Sequence, residues 1–278
     1  MKKLKILVIV LFSGLSGPAQ NNSDLQPFIF DIRRLITTLD YLGAPFSVSD
    51  KQNIEGIIAH SPEENTAVKL KTILDKYALF NIEINPESRV KVTQGSAKPV
   101  LQQGGWNTFL IKIVNDAGAT ARLQVLCDEA KRDYDGGEKI YGMAGMNMGA
   151  TVTKEDIADR WLDMSLYTQE PMKPTLSGLQ TEYFVIQLYS RDSGKRAAGF
   201  RFNCGPATQD IGLRDGVDIL FNCVPSLKIK LKVMDENQNP TTAAFIIKDQ
   251  QNHIYPSQAK RLAPDFFFQP QIYRADGE

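Results

Sequence analysis

The chain has 278 residues with 32 basic and 32 acidic side chains, and 42% of it is hydrophobic. That balance lacks the basic surplus and basic stripe of a nucleic-acid binder. The length allows two or three modules, and the apolar content is enough for packed cores.

Lys2, Lys3 and Lys5 precede an apolar run, Ile6 to Phe12, and then small and turn-forming residues from Ser13 to Ala19. This is the layout of a cleavable export signal, with Gly17 and Ala19 at the −3 and −1 positions of a cut before Gln20. The run is far shorter than the roughly 20 residues that span a bilayer. Later apolar stretches, such as Phe245-Ile246-Ile247, are strand-sized, so no transmembrane segment is expected after signal cleavage. No cysteine stands near the cut to accept a lipid. Without its three signal lysines the mature chain carries 29 basic against 32 acidic residues. The expected location is periplasmic or extracellular.

Residues 20–78 read as a helical module. Phe28, Ile32, Leu35, Ile36, Leu39 and Leu42 recur at three- and four-residue spacing, and Gly43-Ala44-Pro45 ends the pattern. Ser49 and Asp50 offer a cap for a second helix carrying Ile54, Ile57 and Ile58. Ser61-Pro62-Glu63-Glu64 has the order of a third helix start: cap, proline, then acids. Three short amphipathic helices suggest a small bundle.

After Tyr77 the period falls to two. Phe80 to Ile84, Val90 to Val92 and Trp106 to Val114 read as strands. Asn115-Asp116-Ala117-Gly118 is a turn from which Ala121 to Leu126 returns, a predicted hairpin. Residues 128–157 form a long loop rich in glycine and methionine. Strands resume over 160–167, 183–189, 197–204 and 219–223, with a polar turn at Ser190 to Lys195. Residues 79–225 therefore suggest a β-sandwich. Pro225 marks a boundary, beyond which Leu227 to Val233 alternates cleanly, Asp235 to Pro240 turns and Ala244 to Lys248 is a strand. The expected fold class is mainly β with a small N-terminal helical bundle: a β-sandwich followed, over 226–278, by an incomplete prealbumin-like β-sandwich.

Four phrases carry a family resemblance. They are Tyr183 to Asp192 with Gly194-Lys195-Arg196, Thr208 to Gly212, Lys260 to Phe266, and Gln271 to Glu278. They resemble the non-catalytic N-terminal region of large secreted bacterial proteins with a CehA/McbA-type metallohydrolase domain, of the PHP superfamily, further downstream. The resemblance covers roughly residues 160–278, more weakly back to about 28. It implies that this chain is an N-terminal fragment, with the metal-binding residues beyond Glu278 and the downstream domain as its partner. The last segment also resembles carboxypeptidase regulatory-like modules, which are usually structural or adhesive.

The residues themselves offer little catalytic chemistry. Only His60 and His253 exist, one in the helical module and one in the last, whereas a metal site needs three or four converging ligands. No Gly-x-Ser-x-Gly elbow occurs. The Cys127 thiol stands beside Asp128 and Glu129, and acids make a thiol less reactive. Asp133, Asp135 and Glu138 lack the later bidentate acid of a calcium loop, and Met143, Met146 and Met148 suit gap-filling better than soft-metal binding. No catalytic, metal or cofactor residue is assigned. Cys204 and Cys223, each in a Phe-Asn-Cys context, are a candidate disulfide, or else small buried residues too far apart to bond. Trp106, Tyr134, Tyr141 and Trp161 are candidate ligand contacts, since aromatic faces stack on sugars, or else core residues of the sandwich, where most aromatics go. The alternatives are an accessory region of an exported hydrolase and a free-standing envelope protein that binds a ligand such as carbohydrate.

Overall fold

The structure is a computed structural model that describes residues 24–62, 65–130, 160–205, 215–255 and 271–273. The export signal, most of the 128–157 loop with Tyr134, Tyr141 and its acids and methionines, and the phrases at 208–212, 260–266 and 274–278 lie outside the described residues.

The N-terminal periodicity produces three helices. Helix α1 (Leu25–Tyr41) turns Phe28, Ile32, Leu35 and Leu39 inward, and Gly43 at φ +68° ends it. A side chain is excluded at Gly43 twice over, by its backbone and by Ile254, whose Cβ would lie 3.0 Å from an added Cβ. Helix α2 (Val48–Ala59) is capped by Ser47, not by Ser49 or Asp50: the Ser47 hydroxyl accepts the Asp50 N–H at 3.1 Å. Helix α3 (Thr66–Leu74) starts later than Ser61-Pro62 suggests. Ser61 is used up in closing α2, its N–H and hydroxyl both donating to the Ile58 carbonyl.

Nine strands follow in two sheets. The first sheet holds β1 (Ala78–Ile84), β2 (Val90–Gln94), β4 (Trp106–Asn115), β6 (Leu162–Tyr167) and β7 (Thr181–Ser190), in the order β2-β1-β4-β7-β6. The second holds β3 (Val100–Gln102), β5 (Gln124–Cys127), β8 (Gly194–Asn203) and β9 (Gly216–Val224), in the order β3-β9-β8-β5. Pairing is antiparallel except for β1 with β4 and β3 with β9. Phe80, Ile82, Ile111 and Ile186 from the first sheet meet Phe200, Phe202, Ile219 and Phe221 from the second in one core. Among the described residues the fold is mainly β, with the α-helices at the N-terminal end.

The three helices form a small N-terminal group in which α2 packs against α3. Their apolar faces share a second core with Ala78, Leu110, Tyr183 and Val185, on the outer face of the first sheet. Residue 78 thus falls inside a packed unit of three layers, helices on sheet on sheet. Central β7 is buried along most of its length because both its faces are covered.

Two expectations about strands are corrected. The turn after β4 forms, with Asn115 exchanging side-chain hydrogen bonds with the Ala119 backbone at 2.9 Å and Gly118 at φ +62°. It does not make a hairpin. Both edges of β4 are taken by β1 and β7, so the returning segment crosses to the second sheet and pairs there with β8. The alternating stretch 227–233 is not a strand: Leu227 and Ile229 are 84% and 73% exposed. Alternation suits a half-buried surface, but without a neighbouring strand it makes no ladder. Beyond it, the described residues form two small ladders, β10 (Ala243–Phe245) with β13 (Gln271–Tyr273) and β11 (Ile247–Lys248) with β12 (Ile254–Tyr255). The expected turns at 235–240 and 249–252 are closed by Asp235 and Asp249, each accepting two backbone N–H groups.

Cys127, Cys204 and Cys223 are all buried and free. Cys223 lies opposite Gly194 at the start of β8, while Cys204 follows the last residue of that strand. Ten strand residues separate the two levels, roughly 30 Å at the rise of a β-strand. A disulfide needs Cα atoms within about 7 Å, so the proposed pair is not made. Burial also pushes the Cys204 thiol up to about 12. We expect no alkylation of native protein by iodoacetamide, and labelling of every cysteine in denaturant without reductant. A linked Cys204–Cys223 peptide in non-reducing mass mapping would contradict this register.

Candidate functional site

The four aromatic residues singled out in the sequence do not converge. Trp161 lies just ahead of β6 and belongs to the core between the sheets, 3% exposed. Its indole N–H donates to the Ala197 carbonyl at 3.3 Å, and its ring meets Phe221 edge-on at 5.9 Å. It is therefore corrected from ligand contact to core. Trp106 has a different place. Alternation along β4 puts it on the helix-facing side of the first sheet with Leu110, but beyond the end of the helical layer.

Register builds a small surface around it. Trp106 stands opposite Tyr189, and Tyr189 opposite Asp163. The Trp106 and Tyr189 rings are 5.5 Å apart and tilted by 50°. One row further in, Thr108, Gln187 and Ser165 lie side by side. The Gln187 amide donates to the Thr108 hydroxyl at 3.5 Å, and the Arg191 guanidinium pairs with Asp163 at 3.0 Å. All six rowed side chains are half-buried. Three strands and two rows measure about 10 Å by 7 Å, the footprint of one or two sugar rings. The patch combines an aromatic pair with hydroxyl, amide and carboxylate groups, chemistry suited to the faces and edges of a polar ring. Tyr189 was not distinguishable in the sequence, since only the β4–β7 register brings it to Trp106.

A second polar site lies at the other end of β7. Strand β6 stops at Tyr167 opposite Val185, so Thr181 to Phe184 have no strand neighbour on that side among the described residues. The 168–180 connection runs there instead, held by buried Leu176, whose N–H donates to the Ala121 carbonyl at 3.0 Å. Between this connection and α1 is a cleft lined by Asp31, Arg34, Lys173, Thr175, Ser177 and Glu182, among others. Arg34 pairs with Asp31 at 2.6 Å. Glu182 is 5% exposed and accepts the Ser177 N–H on Oε2 at 2.8 Å, while its Oε1 has no partner. Burial, with a smaller push from the Asp31 charge, holds the Glu182 carboxyl above the usual range, against the pull of hydrogen bonds from Ser177 and Gly178.

A carboxyl with a raised folded-state value contributes stability that is complete below its unfolded value and is lost as pH rises through the folded one. Glu182→Gln replaces the buried charge with a neutral amide. The variant should be more stable than wild type near neutral pH, by about 1–2 kcal/mol. The advantage should vanish towards about pH 4, the ordinary glutamate range. Thermal melts of both proteins across that interval check it, and a constant difference would disprove the assignment.

The other candidates have structural surroundings. The His60 ring Nδ1 lies 2.8 Å from the Gly56 carbonyl at the exposed end of α2, and His253 Nδ1 lies 2.9 Å from Asp249 in its turn. The Cys127 thiol donates to Glu129 at 3.4 Å, and burial, then Glu129, push it far up. Among the described residues no three His, Cys, Asp or Glu side chains converge as metal ligands, and no helix is long and apolar enough to cross a membrane.

No protein-family model matches the chain, and no curated protein matches it in sequence. In structure it is similar to surface layer protein SbsC, domains 1-6, at 9% identity and a TM-score of 0.26. That match covers 61% of this chain and 19% of the other, and a likeness so slight carries no argument about fold or function.

Proposed function

We propose that this chain is an exported, non-catalytic binding or accessory module, and that it contacts an envelope polysaccharide through the outer face of its first sheet. The carrying observation is the paired Trp106 and Tyr189 beside Thr108, Gln187, Ser165 and Asp163, beyond the end of the helical layer. Aromatic faces take the apolar side of a sugar, and the flanking groups take its hydroxyls. The signal-like residues 1–19 support export. The resemblance of residues 160–278 to the leading region of secreted metallohydrolases supports an accessory role, in which such contact would hold a downstream domain near its substrate. In that role, local concentration does the work and no catalytic group is needed here.

Affinity electrophoresis of the purified mature chain in gels containing soluble polysaccharides tests the reading. Wild type should be retarded by at least one of them. Trp106→Ala should weaken retention about tenfold, the loss of one stacking contact, with its melting curve confirming a folded protein. Unretarded wild type, or equal retention of the variant, would refute the proposed surface.

A further inference from the structure

The cleft beneath α1 is separate from the Trp106–Tyr189 face and contains a buried acceptor, Glu182 Oε1, with no hydrogen-bond partner among the described residues. Glu182 is a carboxylate nine-tenths buried, and one of its oxygens accepts no hydrogen bond. A buried acceptor left unpaired carries the desolvation penalty of the group, more so when it is charged. The cations at hand do not relieve it. Arg34 is committed to Asp31 at 2.6 Å, and exposed Lys173 acts on Asp31 through its charge alone. Thr175 and Ser177 add hydroxyls to the lining.

We propose that this cleft binds the primary ammonium group of a small molecule, with Glu182 Oε1 as its anionic acceptor. An ammonium carries three N–H donors on a compact head. One would meet Oε1, and the others are within the chemistry of the Asp31 carboxylate and the threonine and serine hydroxyls. A guanidinium is broader and needs a bidentate partner, whereas Glu182 has already committed Oε2 to Ser177. A quaternary ammonium has no N–H to give. Oε1 is itself buried, so entry requires its surroundings to yield. Lys173, at the rim, opposes an incoming cation.

The test is titration of the full mature chain with ethylammonium chloride, followed by amide NMR, with tetramethylammonium chloride as the control cation. Ethylammonium should give saturable shifts at Ser177 and Glu182, and tetramethylammonium should not. Glu182→Gln should weaken binding about tenfold or more, the loss of a charge-assisted hydrogen bond. Lys173→Ala, a surface change that leaves the fold intact, should tighten it. If neither cation gives saturable shifts, Oε1 is satisfied by water alone and the proposal fails. It fails equally if both cations act alike or if Glu182→Gln binds as wild type does. None of these outcomes bears on polysaccharide retention, so the two sites stand or fall separately.

Discussion

Phe80→Ala should cost about 4 kcal/mol of stability, the largest loss expected from a single truncation in this protein. Phe80 is fully buried between the two sheets. Its ring centroid lies 4.8 Å from that of Phe200 and 5.0 Å from that of Phe202, so one side chain of the first sheet meets two of the second. Alanine would remove the area burial and the ring contacts together, and would leave a cavity that rigid strands on both sides cannot fill. A domain is stable by only about 5–15 kcal/mol, so the variant should be near its unfolding transition at growth temperature. Urea denaturation measures the effect. Leu220→Ala is the matched control: Leu220 is 59% exposed on the outer face of the second sheet, and its truncation should change stability by less than about 0.5 kcal/mol. Similar losses for the two variants would mean that the sheets do not pack face to face through Phe80.

Asp75→Ala should cost about 3 kcal/mol, and the loss should appear first in the helical layer. Asp75 opens the short 3-10 turn between α3 and β1. One of its oxygens accepts the Tyr183 hydroxyl at 2.6 Å, and the other pairs with Lys112 at 2.7 Å. These bonds tie the last turn of the helical layer to the two central strands beneath it. Removing the carboxylate leaves a buried phenol and a half-buried lysine without their acceptor. It also takes away the charge that offsets Lys112 against half-buried Lys71, whose ammonium burial and Lys112 already disfavour. The Asp75–Lys112 pair is partly solvated, with 33% and 20% of the two side chains exposed, so the larger share of the loss belongs to the phenol. Tyr183→Phe alone should therefore cost about 1 kcal/mol. Hydrogen exchange would show α1 losing protection while β4 and β7 retain it. Uniform loss across helices and strands would mean that the helices and sheets unfold as a single unit, and would contradict the tether.

What the sequence by itself determined was whatever depends on neighbours along the chain. The three- and four-residue spacing of Phe28, Ile32, Leu35 and Leu39 defines α1, because those positions share a helix face. Alternation defines β1, β4, β8 and β9 for the same local reason, and the Asn115–Gly118 and Asp235–Pro240 turns rest on side chains bonding their own backbone. Trp106 was visible as a candidate because an aromatic residue at a strand start is a local fact. What only the tertiary structure decided was which elements meet. Pairing of β5 with β8 rather than β4, the three-residue strand β3 beside β9, and the spread of the helices over a sheet follow from edges and faces left open by distant strands. Local alternation could not supply a partner for Leu227 to Val233, so the pattern is there without the strand. The site residues divide in the same way. Tyr189 joins Trp106 only through the β4–β7 register, Trp161 is drawn into the core by the second sheet, and Glu182, with its unpaired oxygen, lies three residues past the point where β6 ends opposite Val185. Cys204 and Cys223 share a sequence context, but the antiparallel pairing of β8 with β9 sends them to opposite ends of the ladder. Spacing along a chain fixes which face a side chain takes, and hydrogen-bonded register fixes what lies across from it.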